Sequence, residues 1–428
     1  MKPLVFISCP IDTFSGYGAR SRDIALAIIK SDKYDVKILS QRWGATPFGF
    51  LQQDNPDHKL ILNCIWSQPQ LPKQPDCWIQ ITVPNEFQPV GKFNIGMTAG
   101  IETTICAPQW IEGMNRMNLN LVSSEHAKKV FETSAFEEKN EQGQVLRSIK
   151  LEKPVEVLFE GVNTDIYKKL ESANTLNELD IIKEDFNYLF VGHWLQGEIG
   201  QDRKDTGMLI KTFLETFKNK KQRPGLILKT SAGNYSIMDR DSMLEKIRQI
   251  ESSVDGDLPS IYLIHGELSD DEVNELYNHP KVKAHVSFTK GEGYGRPLLE
   301  ATLSQKPVIA SNYSGHLDFL DPEMSILLPG EITQIHSSAV VQDMLIPESS
   351  WFTVNYDKAS ETLEDVYKNY KKYVDGAKRQ AYRSRTEFSL EKMSERLVSI
   401  LEEKVPKQIQ LKLPQLKKIE LPKLKKVD

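Results

Sequence analysis

The sequence predicts an α/β protein made of two successive doubly wound domains facing a cleft, and three observations predict it. At 428 residues, the chain suits two or three domains. It opens on a buried-strand run, Leu4-Val5-Phe6-Ile7-Ser8. A loop over 12–18 ends in Ser15-Gly16-Tyr17-Gly18, and a helix from Arg20 to Lys30 carries Ile24, Leu26, Ile28 and Ile29. The same strand–loop–helix order restarts at Tyr188-Leu189-Phe190-Val191-Gly192, after a charged, helix-prone connection over 168–184. Such folds bind ligands beyond the C-terminal ends of their strands, so the loops leaving each strand are where function is sought.

In the first half, 34–39, 60–65, 77–83, 94–99 and 119–124 are expected as strands, and Glu125 to Phe131 opens a helix. The polar run over 135–150, with Glu137-Glu138-Lys139-Asn140-Glu141, is expected as a surface excursion. In the second half, Leu226 to Thr230, Ile261 to His265 and Pro307 to Ser311 are expected as strands, with an acidic helix start at Ser269-Asp270-Asp271-Glu272. Glu361 to Tyr373 and Phe388 to Leu401 are expected as the last two helices.

Composition excludes several classes. A hydrophobic content of 39% with 26% charged residues is that of a globular protein with an ample core, and a net charge of −5 gives no general pull toward polyanions. No apolar run approaches the ~20 residues that span a bilayer. The four cysteines are widely spaced, which suits a reduced cytoplasmic chain.

The stretch that carries chemistry is Ser287 to Ala301, SFTKGEGYGRPLLEA. An alternating apolar strand, 283–288, runs into Gly291, Gly293 and Gly295, and Pro297 then opens a helix. That order aims unpaired backbone N–H groups and a helix dipole above the strand, where an anionic phosphate fits. Glu292 and Glu300 frame the loop. Neither helps to bind phosphate, so they need other partners, such as hydroxyl groups or a developing positive charge.

Glu292 and Glu300 stand eight positions apart, with Gly293-Tyr294-Gly295 directly after the first. This resembles the Glu-x7-Glu motif of the retaining family 4 glycosyltransferases of GT-B fold, and supporting order and spacing extend over roughly residues 3–402. The resemblance implies a metal-independent transfer from a nucleotide sugar, a UDP-sugar rather than a GDP-sugar, with no cofactor. Glu292 would lie near the anomeric centre and Glu300 would hold the ribose hydroxyls. Gly293, Tyr294 and Gly295 would turn N–H groups to the sugar and diphosphate. Gly16 and Gly18 would face the phosphates from the first domain, and Gly315 would pass close to the nucleotide. His316 is open between donor contact and a structural turn.

Two departures from the family pattern stand out. His193 occupies the place of the usual arginine after the first strand of the second domain; Lys204 aligns with the family lysine, and Arg203 would replace the missing guanidinium. Region 83–104, where many relatives place a histidine near the sugar, holds none, and Glu102 ranks ahead of Asn85 and Glu86 as its replacement. The expected catalytic set is Glu292, Glu102, Lys204 and Arg203. The expected layout is a first domain over 1–180, a donor domain over 181–385, a cross-over helix over 386–403 and a Lys/Pro-rich tail over 404–428.

That tail is three degenerate octads, VPKQIQLK, LPQLKKIE and LPKLKKVD. From Lys404 onward it carries +6, leaving −11 on the rest of the chain. TKGEGYGRPLLEA and SGYGARSRDIALAI are similar to glycosyltransferases of large tailed bacteriophages, which implies a hydroxymethylated pyrimidine of DNA as acceptor, reached through the cleft and the basic tail. A surface glycan or lipid-linked saccharide is the rival acceptor. A nucleotide-sugar epimerase or a silent binding module is the rival function.

Overall fold

A computed structural model gives the structure, which describes residues 2–44, 46–172, 176–233 and 235–406. The first domain alternates β1 (Leu4–Cys9), α1 (Gly16–Lys30), β2 (Asp35–Ser40), α2 (Pro56–Leu62), β3 (Cys77–Ile81), β4 (Phe93–Thr98), α3 (Pro108–Asn115), β5 (Leu119–Val122) and α4 (Glu125–Thr133). A hairpin of β6 (Ala135–Lys139) and β7 (Val145–Lys150) precedes β8 (Val155–Val157). The sheet order is β2-β1-β3-β4-β5-β8, with every pairing parallel.

The second domain repeats the plan with β9 (Asn187–Val191), α5 (Thr206–Phe217), β10 (Gly225–Lys229), α6 (Ile237–Ser252), β11 (Ile261–Ile264), α7 (Asp270–Asn278), β12 (Val282–Ser287), α8 (Arg296–Thr302), β13 (Val308–Ser311) and β14 (Ile326–Leu328). Its order is β11-β10-β9-β12-β13-β14, again all parallel. An antiparallel pair, β15 (Gly330–Gln334) and β16 (Ser350–Val354), and three helices, α9 (Tyr356–Lys368), α10 (Lys371–Glu387) and α11 (Leu390–Lys404), complete the described chain. Parallel strands buried on both faces read as continuous apolar runs, and β1 is buried at all six positions.

The last helices tie the domains together. In α10, Ser384 Oγ lies 2.8 Å from Thr302 Oγ1 of α8, on the second domain. In α11, Met393, Leu397, Ile400 and Leu401 are at most 1% exposed and pack into the core of the first sheet with Ile24 and Ile28 of α1.

Four expectations change. Residues 60–65 are expected as a strand, but 60–62 belong to α2 and only Ile65 pairs with the sheet, in a single parallel bridge to Ile38. Asn55 caps this helix, its Oδ1 accepting from the N–H groups of Asp57 (2.9 Å) and His58 (3.1 Å), and Pro56 opens the first turn. Helix α1 begins at Gly16, four residues before the expected start, because the Ser15 hydroxyl accepts from Gly18 N at 2.9 Å. The helix expected over 361–373 divides at Asn369, whose φ of −119° and ψ of 32° end α9. The connection over 168–184 forms only a 3-10 turn, Asn177–Ile181, among its described residues. Residues 407–428, nearly all of the expected tail, lie outside the described residues.

Candidate active site

In the second sheet the strand order reverses between β9 and β12, which are neighbours, so the loops over 192–205 and 288–295 leave adjacent strands at the switch point. A buried polar knot clamps the two loops together. Asp205, at φ 52° in the left-handed region, sets one carboxylate oxygen 3.2 Å from Lys290 Nζ, and the same oxygen accepts from Tyr356 Oη at 2.7 Å. Lys290 N donates to Arg203 O at 2.8 Å, and Lys290 Nζ donates to Thr353 Oγ1 at 3.0 Å. Burial raises the Asp205 carboxyl to about 7 against the pull of Lys290.

This clamp delivers Arg203 and Lys204 to Glu292. Lys204 Nζ donates to Glu292 Oε1, and Arg203 Nη1 reaches Glu292 Oε2 at 3.3 Å and Gly291 O at 3.0 Å. From the first domain, Glu102 Oε1 stands 3.7 Å from the same guanidinium. Burial alone would raise the Glu292 carboxyl, but Lys204 and Arg203 outweigh it and hold it at about 2. The result is two cations and two carboxylates in one narrow cleft, with Glu292 ionised at neutral pH. His193 sits on the rim with Nδ1 3.3 Å from Ser231 Oγ; desolvation, then Lys204 and Arg203, lower its pKa.

The glycines of the central loop are required by close approach across the cleft. A Cβ on Gly291 would lie 2.1 Å from Glu102 O, and one on Gly293 would lie 2.4 Å from Ala99 O. Ser123 Oγ (3.1 Å) and Ser124 Oγ (2.6 Å) both donate to Gly293 O. Gly295 caps α8 at φ 97°. Behind the loop, Gly315 N donates to Glu292 O at 3.0 Å, and a Cβ there would stand 2.1 Å from Gly293 O. Gly315 thus backs the loop. His316 is fully buried, its Nε2 2.7 Å from Ser311 O. Tyr294 turns its ring inward onto Phe319, centroids 5.1 Å apart, so only its backbone faces the loop.

Glu300 lies about one turn into α8, beside Arg296 (Oε1 to Nε, 3.7 Å). Burial raises its carboxyl to about 7, with Arg296 opposing and Asp270 and Glu160 adding. Arg296 also reaches Asp23 of α1 at 2.7 Å, pairing the two domains over the cleft. In the first domain, Gly16 is exposed with open space around it. Gly18 is buried against Thr13, where a Cβ would lie 2.3 Å from the carbonyl oxygen, and its N–H is taken by Ser15. Its place is in the packing of the turn. Asp205, Lys290, Tyr356, Ser123, Ser124 and Arg296 are absent from the sequence-based site; only Lys290 and Arg296, beside the glycines, carried a local signal. Among the described residues, no group of three or more His, Cys, Asp and Glu is gathered as metal ligands would be.

Residues 260–336, which contain this loop, match the family described as Glycosyl transferases group 1. Among solved structures, sucrose-phosphate synthase from Thermosynechococcus elongatus aligns with a TM-score of 0.61 at 12% identity, covering 94% of this chain and 98% of that one. HepE from Anabaena, in complex with UDP-glucose, aligns at 0.57 and 12%, covering 94% and 99%. The trehalose 6-phosphate synthase of Burkholderia multivorans aligns at 0.55 and 10%, covering 94% and 98%. No curated protein sequence matches. The fold is GT-B. The matched segment, which carries the Glu292 loop, makes the chain a glycosyltransferase.

Proposed function

We propose that the chain is a retaining, family 4-type glycosyltransferase that moves a sugar from a UDP-sugar to a hydroxyl acceptor. The observation that carries this reading is Glu292, held ionised against Lys204 and Arg203 where a glycine loop enters a helix. In the reaction the bond from the sugar's C1 to the diphosphate oxygen breaks, a C1–O bond forms to the acceptor, and the acceptor's proton leaves with UDP. Lys204, Arg203 and the N–H groups at the start of α8 stabilise the departing diphosphate as preorganised charge. Glu292 faces the positive charge developing at C1, and Glu102 takes the place of the absent first-domain histidine. Gly16 and His193 border the diphosphate, and Glu300 holds the ribose hydroxyls. Domain limits near 180 and 385, a cross-over helix over 386–403 and a reducing cytoplasmic setting belong to the same reading.

The reading predicts a pH effect. An ionised Glu300 accepts from two hydroxyls, whereas a protonated one gives up part of that capacity. With its carboxyl raised to about 7, donor KM is expected to fall as pH rises from about 6 to about 8, and Glu300→Gln is expected to flatten that profile. Initial rates across this range check it.

The primary test is UDP release from UDP-glucose, UDP-galactose and UDP-N-acetylglucosamine, with the anomeric configuration of the product read by NMR. Glu292→Ala and Glu300→Ala are each expected to cut turnover by about 100-fold or more. Turnover like the wild type in both variants would sink the assignment. Release of a free epimer without UDP would favour an epimerase. For the acceptor, hydroxymethylated DNA and a glycan or lipid-linked saccharide are the two readings, and transfer assays with each class of acceptor tell them apart.

A further inference from the structure

The loop leaving β2 carries Trp43, Phe48 and Phe50, and the loop leaving β1 carries Phe14. None of these has a part in the donor site. Backbone bonds fix the two loops to each other. Thr13 and Phe48 form an antiparallel bridge, Gly49 N donates to Asp12 O at 3.1 Å, and Leu51 N donates to Asp12 Oδ1 at 2.8 Å. Arg22 covers the Phe50 ring at 3.5 Å, and Phe14 meets Phe50 edge-on at 5.2 Å. Phe14 and Phe48 nevertheless keep 41% and 43% of their surface exposed. Exposed aromatic rings on a cleft rim offer stacking surface, with the Arg42 guanidinium 5.8 Å from the Phe48 ring centre.

Their position relates them to the reacting centre. The Trp43 ring stacks on Tyr17 at 3.9 Å, and Tyr17 Oη accepts from Ala99 N at 3.1 Å. Ala99 is the residue whose carbonyl a Cβ on Gly293 would strike. Phe14 lines, with Gly16 and Arg296, a cleft cavity of about 1180 Å³ shared by both domains. Trp43 is therefore joined through Tyr17 and Ala99 to the Gly293 loop, while Phe14 and Phe50 open onto the cavity.

Charge selects the class of ligand. The first-domain segments on this edge, residues 10–15, 41–55, 82–87 and 99–107, hold one cation, Arg42, against Asp12, Asp54, Glu86 and Glu102, and Arg22, on the Phe50 ring, is held by the carbonyls of Ile11 and Thr13. A DNA acceptor needs several lysines or arginines on its phosphates, and this edge repels them. A neutral sugar presents an apolar C–H face to an aromatic ring and hydroxyls to the polar groups around it. We infer that Phe14, Trp43 and Phe48 form the acceptor subsite and that it takes a neutral saccharide; this rests on the nucleotide-sugar reading above.

The test uses the full chain, whichever of the three UDP-sugars releases UDP, and two sets of acceptors. One set is methyl α- and β-glycosides of glucose, galactose, mannose and N-acetylglucosamine with their disaccharides; the other is duplex DNA containing hydroxymethylcytosine or hydroxymethyluracil. Expected is transfer to a saccharide, with acceptor KM raised about tenfold by Trp43→Ala and by Phe48→Ala and recovered in Phe48→Tyr. Titration of UDP into each variant reports the integrity of the donor side. Transfer to hydroxymethylated DNA without transfer to any saccharide would overturn the inference, as would a saccharide KM unmoved in both alanine variants. Water hydrolysis of the donor with no saccharide accepted would overturn it and leave the nucleotide-sugar reading standing. Failure of UDP to bind the unaltered protein would remove that reading, and this inference with it.

Discussion

Lys204→Ala is expected to lower kcat/KM by about 10²–10³-fold, the cost of losing one preorganised charge at a departing anion. Lys204 is 8% exposed and its ammonium donates to Glu292, so the proposed diphosphate contact would fall in a site that excludes most water. The substitution also strands Glu292 with a single partner, Arg203 at 3.3 Å. Breaking a buried pair leaves an uncompensated charge, and the Glu292 carboxyl should rise from about 2 as its nearest cation disappears. Steady-state kinetics paired with thermal unfolding separates the two effects. A rate within threefold of the wild type (an order-of-magnitude bound set against the loss above) would remove Lys204 from the machinery.

Gly293→Ala is expected to cost about 100-fold in kcat, through geometry rather than charge. The added Cβ would stand 2.4 Å from the Ala99 carbonyl oxygen, a backbone atom on the opposite domain. No rotamer relieves that contact. Either the loop retreats from Ser123 and Ser124, which both bond its carbonyl, or the domains part. Glu102 and Glu292, which approach Arg203 from opposite sides of the cleft, would separate with them. Small-angle scattering should record a larger radius of gyration alongside the loss of rate. Unchanged kcat and an unchanged radius would contradict the close approach.

The repeating strand–loop–helix order and the Glu292–Glu300 spacing were legible because both are local. Each strand is a continuous apolar run, and the carboxylates share one loop and helix. Arg203 and Lys204 entered only through the resemblance, as ligands of the diphosphate; their pairing with Glu292 is seen in the structure, where the doubly wound order sets β9 beside β12. Residues 60–65 were misread because apolar content outweighed the Asn55-Pro56 cap just upstream. What could not be read is pairing across the cleft. Arg296 with Asp23, Ser124 with Gly293 and the stack of Trp43 on Tyr17 join residues 26 to 273 positions apart, and no periodicity encodes them. The buried Asp205–Lys290–Tyr356 knot is of the same kind. The aromatic residues of 43–50 were in plain view, yet their exposure, and so their availability, depends on which rings Arg22 and Tyr17 already cover.

Calorimetric titration of UDP into the wild type and into Arg203→Ala tests the central claim most directly, because Arg203 touches both Glu292 and Glu102 and no other element of the proposed donor site replaces it. The account predicts saturable, one-to-one binding by the wild type and a loss of about tenfold to 100-fold in the variant, as expected when a charge-assisted contact is removed. Equal affinity in the two proteins, or no binding by either, would contradict it.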